Sequence, residues 1–398
     1  MRITFLAPSG HIGGAERVML DCVHVADGYP GADISVISLG PGPLLEAASR
    51  LGARTVVVAP PARMAALGDS FTSAGTVLLR MLPVLAGSPA FLRRFSRAVS
   101  GLVPDLVHSH GIKTHVLAAL LPSRAPIVWH IHDYLSMRSV SARLLALLSR
   151  RCSLAIAVSE SVAADARRCL PGRLDVRVVH NSVNTEAFRP DGPTVDLDAM
   201  AGLPPAPAGT IRIGLPATFA RWKGHETFLR ALAQLDPARV RGYVIGAPLY
   251  GTDNSQWSQQ ELAGLSKQLG LEGRVGFTGL VTDMPAAYRS LDIVVHASTR
   301  PEPFGLVIVE AMACGRALVA MKDGGAGELF VDERDALTAV AGDAGSLAAT
   351  LRRLIDDSEE RAALGLRARA HVLESFGRDR FAVNLRAALS GVLPAEAC

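Results

Sequence analysis

The sequence predicts an α/β protein of two doubly wound, Rossmann-like domains joined by a linker. Short runs rich in Val, Ile and Leu recur along the chain with helical patterns between them. The runs do not alternate polar with apolar, which fits strands covered on both faces of a parallel sheet. The series also stops near the middle at a stretch rich in Pro, Gly and Asp, and then restarts.

Arg2–Ala7 reads as a buried strand, followed by a Gly loop and a helix from about Glu16. Ile34–Leu39, Arg54–Val58, Asp105–His108, Ile127–His132, Leu154–Val158 and Val176–His180 continue the series. The segment Phe188–Pro207 has weak periodicity and reads as an interdomain linker with room for one short helix. Alternation resumes with Ile211–Leu215, Gly242–Ile245, Val275–Thr278, Ile293–His296 and Ala317–Ala320. From Asp343 onward the chain reads as helical, and Phe381, Leu385 and Leu389 form one apolar stripe. Two such domains predict a cleft, with ligands at the carboxyl ends of the strands.

The composition narrows the class. A chain of 398 residues suits two domains, and 49% apolar with 20% charged residues is a globular balance. A net charge of +4 without a basic stripe argues against a nucleic-acid binder. Cys22, Cys152, Cys169, Cys314 and Cys398 are scattered, odd in number and without a C-x-x-C pair, so free thiols in a reducing cytoplasm are expected. The apolar run in MRITFLAPSG is too short for a secretory signal. No stretch reaches the ~18 uninterrupted apolar residues of a spanning helix. Residues 78–97 and 137–151 combine Leu-rich faces with Arg clusters, a pattern that can rest on anionic lipid at the inner membrane face. The plainer reading of both is a core helix with a solvated basic face.

The most informative segment is HASTRPEPFGLVIVEAMACG, from His296 to Gly315. A strand ends, a loop with Pro301 and Pro303 follows, and a helix begins near Phe304 or Gly305. Amides of Phe304, Gly305 and Leu306 at such a start form a diphosphate site, assisted by the helix dipole. Glu302 precedes it and Glu310 lies about one and a half turns into the helix. One carboxylate is suited to sugar hydroxyls and the other to a ribose diol. Either acid alone would more often be a cap or a surface group.

The combination Pro-Glu-Pro-Phe-Gly, an E-x7-E spacing and Ala-Met-Ala-Cys-Gly resembles the donor-site signature of retaining glycosyltransferases of family 4, which have the GT-B fold. The resemblance implies that Glu302 contacts the transferred sugar and Glu310 the ribose, with Pro303, Phe304, Gly305 and Leu306 around the phosphates. It also implies domains over about 1–190 and 191–375, with a last helix at about 376–398 packing back on the first.

Other segments fit the same family. Gly13-Gly14-Ala15-Glu16 resembles its Gly-Gly loop near the donor phosphate and the acceptor. The stretch SGHIGGAE lacks G-x-G-x-x-G, and DISVISLG ends without a ribose-binding acid, which argues against NAD. TFARWKGHE resembles an Arg…Lys-Gly motif whose cations neutralise the diphosphate. Lys223 matches, Thr218 stands where the Arg is usual, and Arg221 is expected to replace that charge. His132, in His130-Ile-His132-Asp133, takes the role of a His that contacts a donor-sugar hydroxyl. Glu16, His110 and Asp133 fall on the acceptor side, and TGLVTD brings Gly279 and Leu280 to the base. Ser159-Glu160, the turn His180–Asn184 and Gly324-Gly325 with Glu328 are smaller matches.

Two segments admit a metal reading. His108-Ser-His110 and His130-Ile-His132 place each pair on one strand face, as zinc ligands would be, but lack a third and fourth ligand of known geometry. His108 and His110 are instead expected to pack or hydrogen-bond at the cleft rim. Asp196-Leu197-Asp198 mimics a D-x-D motif but lies in the linker, where capping or a solvated turn explains it. The expectation is no metal and no cofactor, the nucleotide-sugar being a co-substrate. The acceptor would be a sugar, a lipid-linked molecule or a natural product. A glycoside hydrolase with two carboxylates, an epimerase and a non-catalytic nucleotide-sugar binder are the rivals.

Overall fold

A computed structural model describes residues 1–61, 89–170, 172, 174–248 and 255–393. The chain divides into two units, Met1–Ser182 with Asp379–Cys398, and Val183–Arg378. Residues 78–88 of the first basic segment lie outside the described residues, and a helix runs over 89–101.

The first unit is built on β1 (Arg2–Ala7), β2 (Asp33–Ser38), β3 (Arg54–Val57), β4 (Leu106–His110), β5 (Ile127–Ile131), β6 (Leu154–Ala157) and β7 (Val176–Val178). Their order is β3-β2-β1-β4-β5-β6-β7, with every pairing parallel. The second unit holds β8 (Ile211–Pro216), β9 (Val240–Ile245), β10 (Val275–Gly279), β11 (Ile293–His296), β12 (Ala317–Ala320) and β13 (Leu337–Thr338). Its order is β10-β9-β8-β11-β12-β13, again parallel. The expected doubly wound sheets are both present. Every residue of β6, β11 and β12 is buried, so these strands have no polar face to alternate. The strand β13 has no periodic signal of its own: two residues pair with Val319 and Ala320 at the sheet edge.

The linker segment is not loose. Asp196 caps the short helix Leu197–Met200, Ser290 holds both amide and carbonyl of Val195, and Arg289 donates to the carbonyl of Pro193. Further upstream, Val183 pairs with Gly377, and Arg369 donates to the carbonyls of Thr185 and Phe188. These bonds tie residues 183–190 to the second unit, so the division falls after Ser182 and not at 190.

The helix Arg378–Leu389 belongs to the first unit. Its stripe of Phe381, Leu385 and Leu389 joins Phe5, Val18 and Cys22 in one core. Arg177 fixes its end by donating to the carbonyls of Ala388 and Ser390, at 2.6 and 3.1 Å. In each sheet the strand order reverses at one place, between β1 and β4 and between β8 and β11. Ligands of open α/β sheets gather outside the carboxyl ends of strands at such switch points.

Candidate active site

Two loops meet at the switch point of the second sheet. One follows β8 and carries Thr218 to Gly224. The other follows β11 and carries Ala297 to Gly305. The Thr299 amide and hydroxyl both donate to the carbonyl of Trp222, at 2.7 and 3.2 Å. Gly224 has φ +76°, and a Cβ there would stand 1.8 Å from the carbonyl oxygen of Ala297. Only glycine lets the loops approach so closely. Their approach brings Lys223 onto Glu302.

Glu302 is 6% exposed. Its Oε2 accepts from Lys223 Nζ at 2.6 Å and from Ser298 Oγ at 2.8 Å, and lies 3.2 Å from His296 Nε2. Burial alone would raise its pKa. The Lys223 charge, aided by the His296 hydrogen bond, outweighs burial and holds the carboxyl well below its usual range. The backbone is clamped as well: the Glu302 amide donates to the carbonyl of Asp323, and the Gly325 amide to that of Glu302. Nζ of Lys223 also sits 4.1 Å from the Trp222 ring centroid.

The helix Leu306–Ala313 starts at Gly305, whose φ of +100° suits glycine alone. An α-helix leaves its first amides without intrahelical acceptors, so this start offers donors and a partial positive charge beside Glu302. Phe304 is buried and packs edge-on against Phe376 at 6.3 Å between centroids. Glu310 is buried, and its Oε2 accepts from the fully buried Tyr288 hydroxyl at 2.8 Å.

Arg221 points elsewhere. Its guanidinium pairs with Glu261 Oε1 at 2.7 Å and stacks over Trp257 at 4.0 Å. The loop around it is pinned to a second strand of chain, Arg221 donating its amide to Ser255 and Trp257 to Phe219. Neutralising a diphosphate would require this cation to leave or share Glu261. At the end of β10, Gly279 has φ +70° and open space around its Cα, and Leu280 is 64% exposed.

In the first unit, Gly13 precedes the helix Gly14–Asp27, and its amide donates to Glu16 Oε2 at 3.0 Å. Glu16 thus caps its own helix, and burial pushes its pKa up. His132 is half-buried, lies 2.9 Å from His110 Nδ1 through Nε2, and is driven by burial down to about 3, so it is neutral at physiological pH. His110 and His108 are fully buried, not at a rim: Phe5 and the helix that carries Cys22 cover that face of the sheet. Asp133 accepts from the Tyr134 amide at 2.9 Å and lies 3.5 Å from Arg138, which shapes the turn after β5.

Two family models cover most of the chain. One, described as Glycosyltransferase Family 4, matches residues 12–187, and the other, Glycosyl transferases group 1, matches residues 205–371. This chain belongs to the family 4-type glycosyltransferases and has the GT-B fold. Anabaena HepE, solved with UDP-glucose, is 26% identical with a TM-score of 0.81, over 98% of this chain and 100% of HepE. Thermosynechococcus elongatus sucrose-phosphate synthase, at 20% identity and a TM-score of 0.76 over 98% and 99% of the two chains, shares the fold. A Rhizobium leguminosarum lipopolysaccharide core mannosyltransferase, LpcC, is 29% identical over 54% of this chain and 60% of its own. A Catenulispora acidiphila D-inositol 3-phosphate glycosyltransferase is 32% identical over 50% and 47%. The chain thus spans about half the length of these curated relatives.

In this family member the signature residues stand with partners that their own motifs do not announce. His296 and Ser298 lie inside the decisive segment, and their spacing of two at a strand end was the available signal for a shared face. Tyr288 carried no such signal. Neither did His225, which is buried beside Phe219 with both ring nitrogens unpartnered and driven down to about 4 by burial and the Lys223 charge.

Proposed function

We propose that this chain transfers a hexose-type sugar from a nucleoside-diphosphate sugar to an acceptor hydroxyl, with retention of anomeric configuration and no metal at the reacting centre. The observation that carries the proposal is the Lys223–Glu302 pair, a half-buried lysine on a buried carboxylate where two glycine-bearing loops converge beside a helix start. Lys223 supplies positive charge for the departing diphosphate, with the Gly305 and Leu306 amides adding donors. Glu302, kept ionised, accepts from sugar hydroxyls. Glu310, steadied by Tyr288, takes the ribose diol. Arg221 contributes once released from Glu261. Gly279 and Leu280 border the base, which pairs through backbone edges. The roles of Gly13, Gly14, His132, Glu16, His110 and Asp133 rest on the family resemblance. Retention rests on it too, the acceptor hydroxyl attacking from the face the diphosphate leaves.

A UDP-sugar is the first choice of donor, because HepE of Anabaena was captured with UDP-glucose, and a GDP-sugar is second. The acceptor is proposed as a sugar or lipid-linked hydroxyl, given the relative that builds a lipopolysaccharide core. Among the described residues no helix is long and apolar enough to cross a membrane. The helix Ser139–Leu148 exposes Val140 and Leu147 beside Arg143, and Met137 precedes it, a surface suited to anionic lipid.

A thermal-shift panel of UDP-, GDP- and ADP-sugars, followed by product analysis, tests this reading. One donor should stabilise the protein and yield a new glycoside with a suitable acceptor. Stabilisation without any glycoside, across an acceptor panel, would favour a binding protein. Free sugar alone would favour a hydrolase. Wild-type turnover by Lys223→Ala at saturating donor would remove the role given to that side chain.

A further inference from the structure

The first unit holds a four-residue cluster of which the proposed transfer reaction uses only His110. Cys22 comes from the helix Gly14–Asp27, His108 and His110 from β4, and His130 from β5. All four are buried. Strand pairing sets His110 directly against His130, and the spacing of two puts His108 on the same face. Each residue offers one ligand atom, and these atoms lie within 4.8 Å of one another. Cys22 Sγ is 3.8 Å from His130 Nδ1.

Ordinary packing does not explain the cluster. The Nε2 atoms of His108, His110 and His130 are buried without a hydrogen-bond partner. A buried polar atom without a partner is costly, and three in one place call for a common reason. A neutral imidazole is the form that binds a metal.

From this geometry we infer a buried site for a thiophilic transition-metal ion, with zinc(II) as the reference, held by Cys22, His108, His110 and His130. Three imidazoles and a thiolate are a donor set for tetrahedral zinc. Zinc–nitrogen bonds of about 2.0–2.1 Å and a zinc–sulfur bond of about 2.3 Å place such ligands roughly 3.3–3.6 Å apart. The Cys22–His130 separation is already near that value, and imidazole rotation draws the remaining atoms inward. Binding displaces the Cys22 proton: the S–H bond breaks, the sulfur–metal bond forms, and the proton leaves to solvent. Asp21, next in the chain and accepting from Ser182 Oγ at 2.8 Å, offsets the positive charge that remains.

The site also reaches His132. His110 Nδ1 lies 2.9 Å from His132 Nε2. With His110 donating through Nδ1–H, its Nε2 keeps the lone pair that a metal takes. A ligating imidazole commonly uses its second nitrogen in this way, and such a partner fixes its orientation. The ion would therefore make His110 a positioning residue for His132.

The experiment is a metal titration of the full-length protein, produced without a polyhistidine tag and stripped with chelator. Zinc is measured by elemental analysis and cobalt(II) by absorption. The expected result is one zinc per chain, retained through gel filtration after zinc is added back to the stripped protein. Cobalt should give a sulfur-to-metal charge-transfer band with ligand-field bands of tetrahedral intensity. Cys22→Ser should abolish the charge-transfer band, and His130→Ala should weaken binding by more than the ~10–100-fold typical of losing an outer partner. Circular dichroism of each variant establishes that it is folded, and Cys169→Ser serves as a control that keeps the band. A wild-type chain that retains no zinc overturns the site. So does a cobalt spectrum unchanged in folded Cys22→Ser, since the ion would then lie elsewhere. Because the readout is metal content and spectrum, a failure of the proposed transfer activity does not affect it.

Discussion

Asp198 and Glu302 are two buried carboxylates of the second unit, and both are held below the ordinary range despite burial. Asp198 accepts from Tyr243 Oη at 2.6 Å, Arg241 at 2.7 Å, the Ala206 amide at 2.9 Å and Arg212 at 3.2 Å. Its donors come from β8, β9 and the 204–206 turn, and the group closes on itself. Glu302 takes three contacts on Oε2, from one half-buried lysine and two strand-end side chains, beside a helix start. A perturbed carboxylate therefore does not mark a reacting centre by itself. What separates the two is placement: Glu302 stands at a topological switch point with loops that glycine keeps small, whereas Asp198 staples the linker to the sheet.

The largest effect that would sharpen this contrast is on stability. Asp198→Ala leaves Arg241 with only the Pro204 carbonyl and takes the carboxylate acceptor from the buried Tyr243, and should cost about 3 kcal/mol. Urea unfolding measures this, and turnover per folded molecule should be unchanged. If activity fell while stability held, the assignment of Asp198 to structure would be wrong. Lys223→Ala should do the reverse, lowering kcat by about 10²-fold with a smaller change in stability, since it removes transition-state charge.

Acid titration tests what the two carboxylates share. Each folded pKa is depressed, so each contributes stability above its unfolded value, near 4. That contribution is lost as pH falls through the folded value. Glu302→Gln and Asp198→Asn should each flatten the loss of stability below about pH 4, as followed by thermal melts across pH. A melt profile identical to wild type would mean that the native carboxylate gains nothing from its partners.

Two smaller changes probe the periphery. Tyr288→Phe removes one hydrogen bond to Glu310 and should weaken donor binding about 5-fold, roughly 1 kcal/mol, in calorimetry. Arg221→Ala breaks an exposed pair with Glu261 and should leave stability nearly unchanged in urea unfolding. A drop in kcat without a stability change would show that Arg221 leaves Glu261 to serve the diphosphate. No drop would leave that work to Lys223 and the amides.

The sequence by itself determined the two parallel sheets, because strands covered on both faces must be apolar throughout. It also picked out Glu302, Glu310 and Lys223, because the helix start and its flanking glycines are local, contiguous features. In the Asp-Leu-Asp decoy it read Asp196 correctly as a cap, but not Asp198, whose partners Arg212, Arg241 and Tyr243 lie on other strands. Only the tertiary structure decided that Tyr288 holds Glu310, that Arg221 rests on Glu261, and that Glu16 caps the Gly13 amide. It alone brought Cys22 from a helix to three histidines on two strands. Pattern and spacing report what lies within one element. The side chains that tune a charge or close a ligand set arrive from distant parts of the chain, and only strand order and register fix where they meet.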